Sequence, residues 1–144
     1  MADKVIVYTY AVADLLHIGH LRCLQQARAL GDHLIVGVLT DEATAAYKRC
    51  PIIPFEERIE LVRSLQCVTG AVKQEALDPT ETIKRLLVRI DIVTHSHGEN
   101  ERFPGDKIEE FARETSIRLV RTNYCPGIST TDIIERIRRA GDWH

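Results

Sequence analysis

The alternation of apolar segments along this 144-residue chain predicts an α/β fold, a doubly wound parallel sheet of five strands with helices on both faces. Five short segments rich in β-branched and aromatic residues alternate with segments whose apolar residues recur at helical spacing. The run HLIVGVL at 33–39 is apolar throughout, which is typical of a strand covered on both faces. In such a sheet, ligands bind at the carboxyl ends of the strands, where the strand order reverses.

The first half of the chain predicts three strands separated by helices. Leu24, Ala27 and Leu30 recur at helical spacing, and Gly31 ends that helix. The predicted elements are a strand at 4–10, a helix at 20–32, a strand at 33–39, a loop with one helical turn at 40–53, a helix at 54–65 and a short strand at 71–73.

The second half continues the alternation and completes the sheet. The predicted elements are a helix at 79–90, a strand at 91–96, a polar loop at 98–106, a helix at 107–116, a strand at 117–122 and a helix at 129–140. We expect the loops after the first and fourth strands to meet at the reversal point. The loop after the first strand is ADLLHIGH, at 13–20.

The composition is that of a globular protein, with 44% hydrophobic and 28% charged residues. A formal net charge of -2 argues against a nucleic-acid binder, which needs a basic face. No apolar run reaches the roughly 18 residues of a membrane span, and the amino-terminal sequence lacks the features of a signal peptide. The four scattered cysteines predict reduced thiols and a cytoplasmic location. We expect one domain over 1–144, which could be part of a longer chain.

The loop ADLLHIGH places two imidazoles where a strand is followed by a helix. A helix start attracts anions, because its N–H groups are unpaired and its dipole end is positive. Gly19 allows the backbone to approach a phosphate closely. His17 and His20 could donate N–H groups to phosphoryl oxygens, which matters most when negative charge develops in a transition state.

A second helix start, GISTTDII at 127–134, repeats this chemistry. Gly127 gives a flexible turn, and Ser129 or Thr130 can cap the helix while offering hydroxyl groups to a phosphate. Cations lie nearby in the sequence at Lys48, Arg49 and Arg121. Two phosphate-binding helix starts with lysine and arginine suit a nucleoside triphosphate.

These segments resemble the HxGH-motif cytidylyltransferases, which act on glycerol 3-phosphate, phosphoethanolamine or phosphocholine. Three segments carry the resemblance: DLLHIGH with the following ARALGDHLIVGVLTDE, KR…PFEER at 48–58, and RTNYCPGISTTDII at 121–134. HxGH alone is a weak signal, whereas HxGH with GISTT before the final helix is a specific one. The resemblance implies a Rossmann-like nucleotidyltransferase fold and a homodimer.

The resemblance also implies a chemistry and a set of site residues. A phosphate-type oxygen of the acceptor attacks the α-phosphorus of CTP and pyrophosphate leaves, with Mg²⁺ on the triphosphate. The residues implied as catalytic are His17, His20, Lys48 and Arg121. Those implied to lie along the nucleotide are Asp14, Gly19, Thr122, Gly127, Ile128, Ser129 and Thr130. Asp41 also matches an acidic position of the family, but Asp14 is the favoured site residue.

The chain departs from the family pattern around the expected acceptor site. Ala11 replaces a glycine, Ala13 replaces a phenylalanine, and Gln66 stands where glycerol-3-phosphate enzymes have an arginine. The segment THSHGEN at 94–100 replaces a shorter stretch, so that His95 and His97 join Ala11 and Gln66 as candidate acceptor-binding residues. These departures suggest a less usual acceptor, such as a hydroxyalkylphosphonate.

Other interpretations of the same residues stay open. The nearest alternatives are adenylyl transfer, since HxGH serves both nucleotides, and a regulatory nucleotide-binding module that has lost catalysis. The four histidines 17, 20, 95 and 97 could form a zinc site. Ser129 and Thr130 could be plain helix caps, and Lys48, Arg49 and Arg58 could be solvated surface charges.

Overall fold

The computed structural model describes residues 3–96, 106–122 and 129–141, and it confirms the α/β fold. Five strands alternate with helices along the chain. In order, the elements are β1 (Ile6–Ala11), α1 (Ile18–Arg28), β2 (His33–Leu39), α2 (Asp41–Ala45), α3 (Phe55–Arg63), β3 (Gly70–Gln74), α4 (Thr80–Arg85), β4 (Ile92–Ser96), α5 (Asp106–Thr115), β5 (Arg118–Thr122) and α6 (Thr130–Arg139).

The five strands form one sheet in the order β3-β2-β1-β4-β5, and every neighbouring pair is parallel. The order runs one way from β1 to β3 and the other way from β1 to β5, so it reverses between β1 and β4. The predicted reversal beside the first strand is therefore confirmed. The carboxyl end of β1, from which ADLLHIGH continues, lies at this point.

Side chains of β1 alternate between two apolar layers, as a central strand requires. Val7 packs with Leu24 of α1 and Val62 of α3 on one face of the sheet. Tyr8 packs with Ile83 of α4 and Ile108 of α5 on the other face. The sheet is thus covered on both sides, which leaves the carboxyl ends of its strands as the edge where a ligand can enter.

Helix α4 is shorter than the sequence predicts, because it ends at Arg85 rather than at residue 90. Leu86 is already extended, and Leu87 and Val88 are exposed to solvent. Asp91 must begin the pairing with β1, since its N–H donates to the Ile6 carbonyl and its carboxylate accepts from the Ile6 N–H. The chain therefore leaves the helix early to reach the start of β4.

No helix is both long enough and apolar enough to cross a membrane within residues 3–96, 106–122 and 129–141. Within the same ranges, Cys50 and Cys67 carry thiols and not disulfides.

Candidate functional site

A cavity of about 400 Å³ opens at the carboxyl ends of the strands, between the starts of α1 and α6. Its wall contains most of the residues singled out in the sequence. Those that line it are Ala11, Asp14, His17, Gly19, His20, Lys48, His95, Ser129 and Thr130. The sheet thus brings together two helix starts that are more than 100 residues apart in sequence.

The start of α1 is capped by imidazoles instead of the usual hydroxyl or carboxylate. His17 is the N-cap, and its Nδ1 accepts a hydrogen bond of 3.0 Å from the Gly19 N–H. The Nδ1 of His20 accepts a bond of 3.2 Å from the His17 N–H. An Nδ1 atom that accepts carries no proton, so each neutral ring holds its proton on Nε2. Both rings therefore keep one N–H donor, and the buried Nε2 of His17 has no partner among the described residues.

Burial keeps these imidazoles neutral. Burial, together with the nearby His17 and Lys48 and against the attraction of Asp14, lowers the pKa of His20 to about 4. Burial also lowers the pKa of His17, against the attraction of Asp132. The ring centres lie 3.9 Å apart, too close for two cations. At pH 7 the pair can donate hydrogen bonds without adding charge.

The loop between β1 and α1 is strained. Ala13 has a φ of 56° and Leu15 a φ of 51°, and this left-handed region is unfavourable for residues with a β-carbon. Such conformations cost on the order of 1–3 kcal/mol each and persist only where surrounding contacts enforce them. The contacts that enforce this loop converge on the residue between them, Asp14.

Asp14 fastens its loop to the segment before α3. Its Oδ2 accepts bonds of 2.9 Å from the Arg49 Nη1 and the Ile52 N–H, and its Oδ1 accepts one of 2.9 Å from the Ile53 N–H. Burial by itself raises the pKa of Asp14, but these N–H groups and the Arg49 guanidinium hold it below its usual value. Both oxygens of this site residue are therefore engaged within the protein.

Arg58 is a second brace of the same loop and is fully buried, so the interpretation of it as a solvated helix charge is wrong. Its guanidinium donates to the carbonyls of Val12, Leu39 and Ile53 at 2.5, 2.9 and 2.8 Å. It also pairs with the Asp41 carboxylate at 2.7 Å. Arg58 therefore ties the ends of β1 and β2 together at the edge of the cavity. The sequence did not indicate this burial. Arginine is seldom fully buried unless it is paired, and the partners of Arg58 are distant in sequence.

The start of α6 is capped in the usual way. Ser129 accepts a 3.1 Å bond from the Asp132 N–H, and the Asp132 carboxylate accepts one of 3.1 Å from the Ser129 N–H. Ser129 is thus a helix cap, and it lines the cavity as well. The Thr130 hydroxyl donates a 2.8 Å bond to the Asp14 carbonyl, which joins the start of α6 to the loop that leads into α1.

The loop after α2 brings two adjacent cations to the cavity. Lys48 and Arg49 both line the wall, and Arg49 forms an ion pair with Asp14. Burial lowers the pKa of Lys48, the neighbouring Arg49 lowers it further, and Asp14 opposes them. Arg49 is therefore not a plain solvated charge, whereas Lys48 lines the wall but is exposed. Sequence spacing alone gave no means of pairing Arg49 with a residue 35 positions earlier.

Tyr10 and His95 form a further part of the wall; the sequence identified His95 but not its partner Tyr10. The Tyr10 hydroxyl lies 2.6 Å from the His95 Nδ1, and their rings are stacked with centres 5.2 Å apart. Burial raises the pKa of Tyr10, with smaller contributions from Asp78, Tyr8 and Tyr47, so the phenol keeps its proton. In the parallel pair of β1 and β4, Tyr8 lies opposite Val93, which places Tyr10 and His95 side by side. The sequence does not give this register, which is set only in the folded sheet.

Several predicted site residues lie elsewhere. Gln66 is exposed before β3, at the amino ends of the strands and away from the cavity. Arg121 is exposed at the end of β5 beside Arg113 of α5, and neither it nor Thr122 lines the cavity. The remaining predicted positions, His97, Gly127 and Ile128, fall outside the described residues.

Within 3–96, 106–122 and 129–141, no group of three or more histidine, cysteine or acidic side chains is arranged to hold a metal ion. The suggested zinc site also needs His97, which lies outside these ranges. The geometry instead offers uncharged N–H donors, hydroxyl groups and two cations around one cavity, a combination suited to polyanions.

The match to known proteins extends over most of the chain. Residues 8–136 match the family model described as cytidylyltransferase-like. The chain belongs to the cytidylyltransferase-like family. The resemblance inferred from HxGH and GISTT is therefore confirmed.

Two curated relatives illustrate the range of this family. The chain is 33% identical over 133 residues to an ethanolamine-phosphate cytidylyltransferase of Arabidopsis thaliana, covering 91% of this chain and 32% of that protein. It is 40% identical over 136 residues to a bifunctional protein HldE of Helicobacter pylori (strain G27), covering 93% of this chain and 28% of that protein. The chain thus spans about a third of the length of these relatives.

A solved structure supports the fold. The chain is similar to a lipopolysaccharide core biosynthesis protein from Thermoplasma volcanium GSS1, with a TM-score of 0.71 and 24% identity. The similarity covers 88% of this chain and all of that one.

Proposed function

We propose that this domain transfers a cytidylyl group from CTP to a small alcohol bearing a phosphate or phosphonate, with release of pyrophosphate. The observation that carries the proposal is the Thr130–Asp14 hydrogen bond, which joins the start of α6 to the loop that leads into α1, so that both helix starts border one cavity. Membership in the cytidylyltransferase-like family supports the nucleotide chemistry. The similarity to an ethanolamine-phosphate cytidylyltransferase supports an acceptor of this class.

In the proposed reaction, an oxygen of the acceptor phosphate or phosphonate forms a bond to the α-phosphorus of CTP. The bond between that phosphorus and the bridging oxygen of pyrophosphate breaks, and the electron pair leaves with the pyrophosphate. No proton has to be removed from an ionised acceptor, so catalysis depends on position and charge. The neutral donors His17 and His20 suit oxygens whose negative charge grows in the transition state.

The other cavity residues divide the polyphosphate between them. The hydroxyl of Ser129 and the first N–H groups of α6 would hold the β- and γ-phosphates, while Thr130, whose hydroxyl proton is given to the Asp14 carbonyl, would hold the start of α6 in position. Lys48 would neutralise the α-phosphate. Arg121 and Thr122, at the end of β5, stay candidates for contact with the nucleotide.

Magnesium fits this site as part of the substrate, bound to the triphosphate. Among the described residues of the wall, the carboxylate is that of Asp14, and both its oxygens already accept hydrogen bonds from the protein. The triphosphate oxygens and water would therefore be its ligands. The ion would supply charge neutralisation of the leaving pyrophosphate.

Incubation of the protein with CTP, Mg²⁺ and a panel of phosphate and phosphonate alcohols tests the proposal directly. The panel includes phosphoethanolamine, phosphocholine, glycerol 3-phosphate and 2-hydroxyethylphosphonate, and pyrophosphate release is measured. We expect release with at least one member. Release with no member, together with tight CTP binding by calorimetry, would instead favour a regulatory nucleotide-binding module.

The choice of nucleotide needs a separate measurement. A ligand that binds the folded state raises the apparent melting temperature by mass action, so CTP is expected to raise it more than ATP does. The reverse order, with turnover of ATP, would point to adenylyl transfer. The homodimer implied by the family stays a prediction, which sedimentation equilibrium measures.

A further inference from the structure

The charges of the proposed reactants exceed what one cation can offset. The reaction brings together a triphosphate and an ionised acceptor, and two anions repel each other strongly when partly removed from water. The neutral imidazoles of His17 and His20 donate hydrogen bonds but supply no charge. Within the described wall of the cavity, the cationic side chains are Lys48 and Arg49. The proposed function places Lys48 at the α-phosphate. Arg49 is therefore the cation of the described wall to which no anionic group has yet been assigned.

The geometry of Arg49 leaves one edge of its guanidinium available. Its Nη1 donates to the Asp14 Oδ2 at 2.9 Å and to the Cys50 carbonyl at 3.2 Å. Guanidinium carries five N–H donors, and neither the Nε nor the Nη2 of Arg49 donates a hydrogen bond within the described part of the chain. The Arg49 side chain is 35% exposed, whereas Asp14 is 3% exposed. The buried carboxylate of Asp14 therefore fixes the orientation of Arg49, and the Nε and Nη2 edge of the guanidinium stays accessible.

We propose that Arg49 binds the phosphate or phosphonate group of the acceptor, with Asp14 holding the guanidinium in orientation; this inference rests on the proposed cytidylyl transfer. The Nε and Nη2 groups form a planar fork that matches two oxygens of a phosphate. The two helix starts already provide the donors that suit the triphosphate. Arg49 therefore determines specificity at the acceptor end of the cavity.

The assignment restricts the acceptor to a class. A phosphate monoester or a phosphonate presents two or three oxygens to the fork, whereas a neutral alcohol leaves the guanidinium without an anion. Lysine at this position would preserve the charge and an ion pair with Asp14, but it would lose the fork. Arg49→Lys thus separates recognition of phosphate from the bracing of the loop.

The test uses inorganic phosphate as the probe, titrated by calorimetry into protein saturated with CTP and Mg²⁺. Because Arg49→Gln loses hydrogen bonds to a charged group, we expect it to weaken phosphate binding about 10-fold or more. The affinity of Arg49→Lys should lie between those of the wild type and Arg49→Gln. CTP affinity is expected to change less than about 3-fold, since exposed charges contribute little at a distance. The matched control is Arg85→Gln on α4, an exposed arginine outside the cavity, for which no change is expected. Melting temperatures of all variants are measured in parallel.

Three results would overturn the inference. Equal phosphate binding by the wild type and Arg49→Gln would remove Arg49 from any anion site. Phosphate that displaces CTP would assign Arg49 to the nucleotide. Arg49→Lys could also bind phosphate as tightly as the wild type while only Arg49→Gln lowers the melting temperature. Arg49 would then act only as a brace of the loop.

Failure of the proposed function has a different signature. Absence of pyrophosphate release across the acceptor panel, with phosphate binding that still depends on Arg49, rejects cytidylyl transfer but keeps an anion site at Arg49. If CTP itself does not bind, the same titration is carried out without it. Arg49-dependent binding then retains the anion site, and its absence rejects both ideas.

Discussion

The two helix starts at the cavity offer the same kind of ligand site but are built differently. The start of α1 is capped by His17, and no acidic residue occupies its first turn. The start of α6 is capped by Ser129 and carries Asp132 in its first turn. An acidic residue stabilises a free helix start but competes with a bound phosphate for it. The α1 start is therefore the better prepared for an anion.

The supports of the two starts differ as well. The loop before α1 is held by the three bonds to the Asp14 carboxylate and by buried Arg58. Helix α6 has no fully buried residue in its described span, and the Thr130 hydroxyl links it to the loop. Rigid support suits groups that must meet a transition state, whereas looser support suits groups that hold and release a leaving pyrophosphate. If the domain carries out the proposed transfer, we expect the start of α1 to act mainly in catalysis and the start of α6 mainly in binding.

The largest expected effect comes from removing the brace on the α1 side. Arg58→Met leaves three carbonyls and the Asp41 carboxylate without their buried partner, and is expected to cost about 3–5 kcal/mol of unfolding free energy. The matched change on the α6 side, Arg136→Met at an exposed position, is expected to cost less than about 0.5 kcal/mol. Urea denaturation measures both. Equal costs would abolish the contrast between the two supports.

The second prediction separates the cap function of His17 from its donor function. Asparagine is a good N-cap, so His17→Asn can accept from the Gly19 N–H, but it lacks the Nε2 donor. We expect kcat to fall about 100-fold, the usual effect of losing one transition-state donor, with little change in CTP affinity. His33→Asn, at the amino end of β2, is the control. Lost CTP affinity with an unchanged kcat would contradict the catalytic role.

The pH dependence provides a smaller effect. The pKa of His20 is about 4 in the folded protein and near 6.5 when unfolded, so protons bind preferentially to the unfolded chain between these values. The stability that depends on neutral His20 is therefore complete above pH 6.5 and is lost as the pH falls toward 4. We expect the free energy of unfolding, measured by urea denaturation from pH 8 to 4, to stay level down to about pH 6.5 and to fall below it. A profile that does not fall between pH 6.5 and 4 would show that burial does not hold these imidazoles neutral.

In the same experiment, His20→Gln is expected to reduce the loss of stability between pH 6.5 and 4. The lowered pKa of His17 acts in the same direction, so part of the loss remains in this variant. An unchanged pH profile of stability in His20→Gln would contradict the burial of this ring as the cause.

The smallest expected effect concerns the acidic residue at the α6 start. Asp132→Asn keeps a side-chain oxygen for the Ser129 N–H but removes a negative charge beside the proposed phosphate site. CTP binding is expected to become about 3-fold tighter at low salt, and the gain should fade as salt screens the charge. Glu135→Gln, one turn further along the same helix, is the control. Weaker CTP binding by Asp132→Asn would mean that the carboxylate itself takes part in binding.

Much of this arrangement could be predicted from the sequence, because local patterns encode it. The apolar run of β2 and the spacing of Leu24 and Ala27 depend on neighbours in the chain, and the corresponding elements are confirmed. The position of His17 and His20 at a helix start follows from the same patterns, as does the cap at Ser129. The ends of elements also depend on tertiary contacts, as the early end of α4 illustrates.

Long-range contacts could not be predicted in the same way. Asp14 was expected to lie along the nucleotide, yet its oxygens accept from residues 35 to 39 positions later. The sequence around Arg58 is typical of an exposed helix charge. Its burial becomes evident only from the fold, in which its guanidinium meets the carbonyls of Val12 and Leu39 after β1 and in β2. The stack of Tyr10 on His95 likewise depends on the register of two strands 85 residues apart.

The sequence by itself determined the order of strands and helices, the fold class and the two helix starts, because turn chemistry and apolar periodicity act over a few residues. Only the tertiary structure decided which charges are buried, which are paired and which face the cavity. Those properties depend on the partners that packing brings close, and the energy of a buried charge is set by its partners more than by its place in the chain.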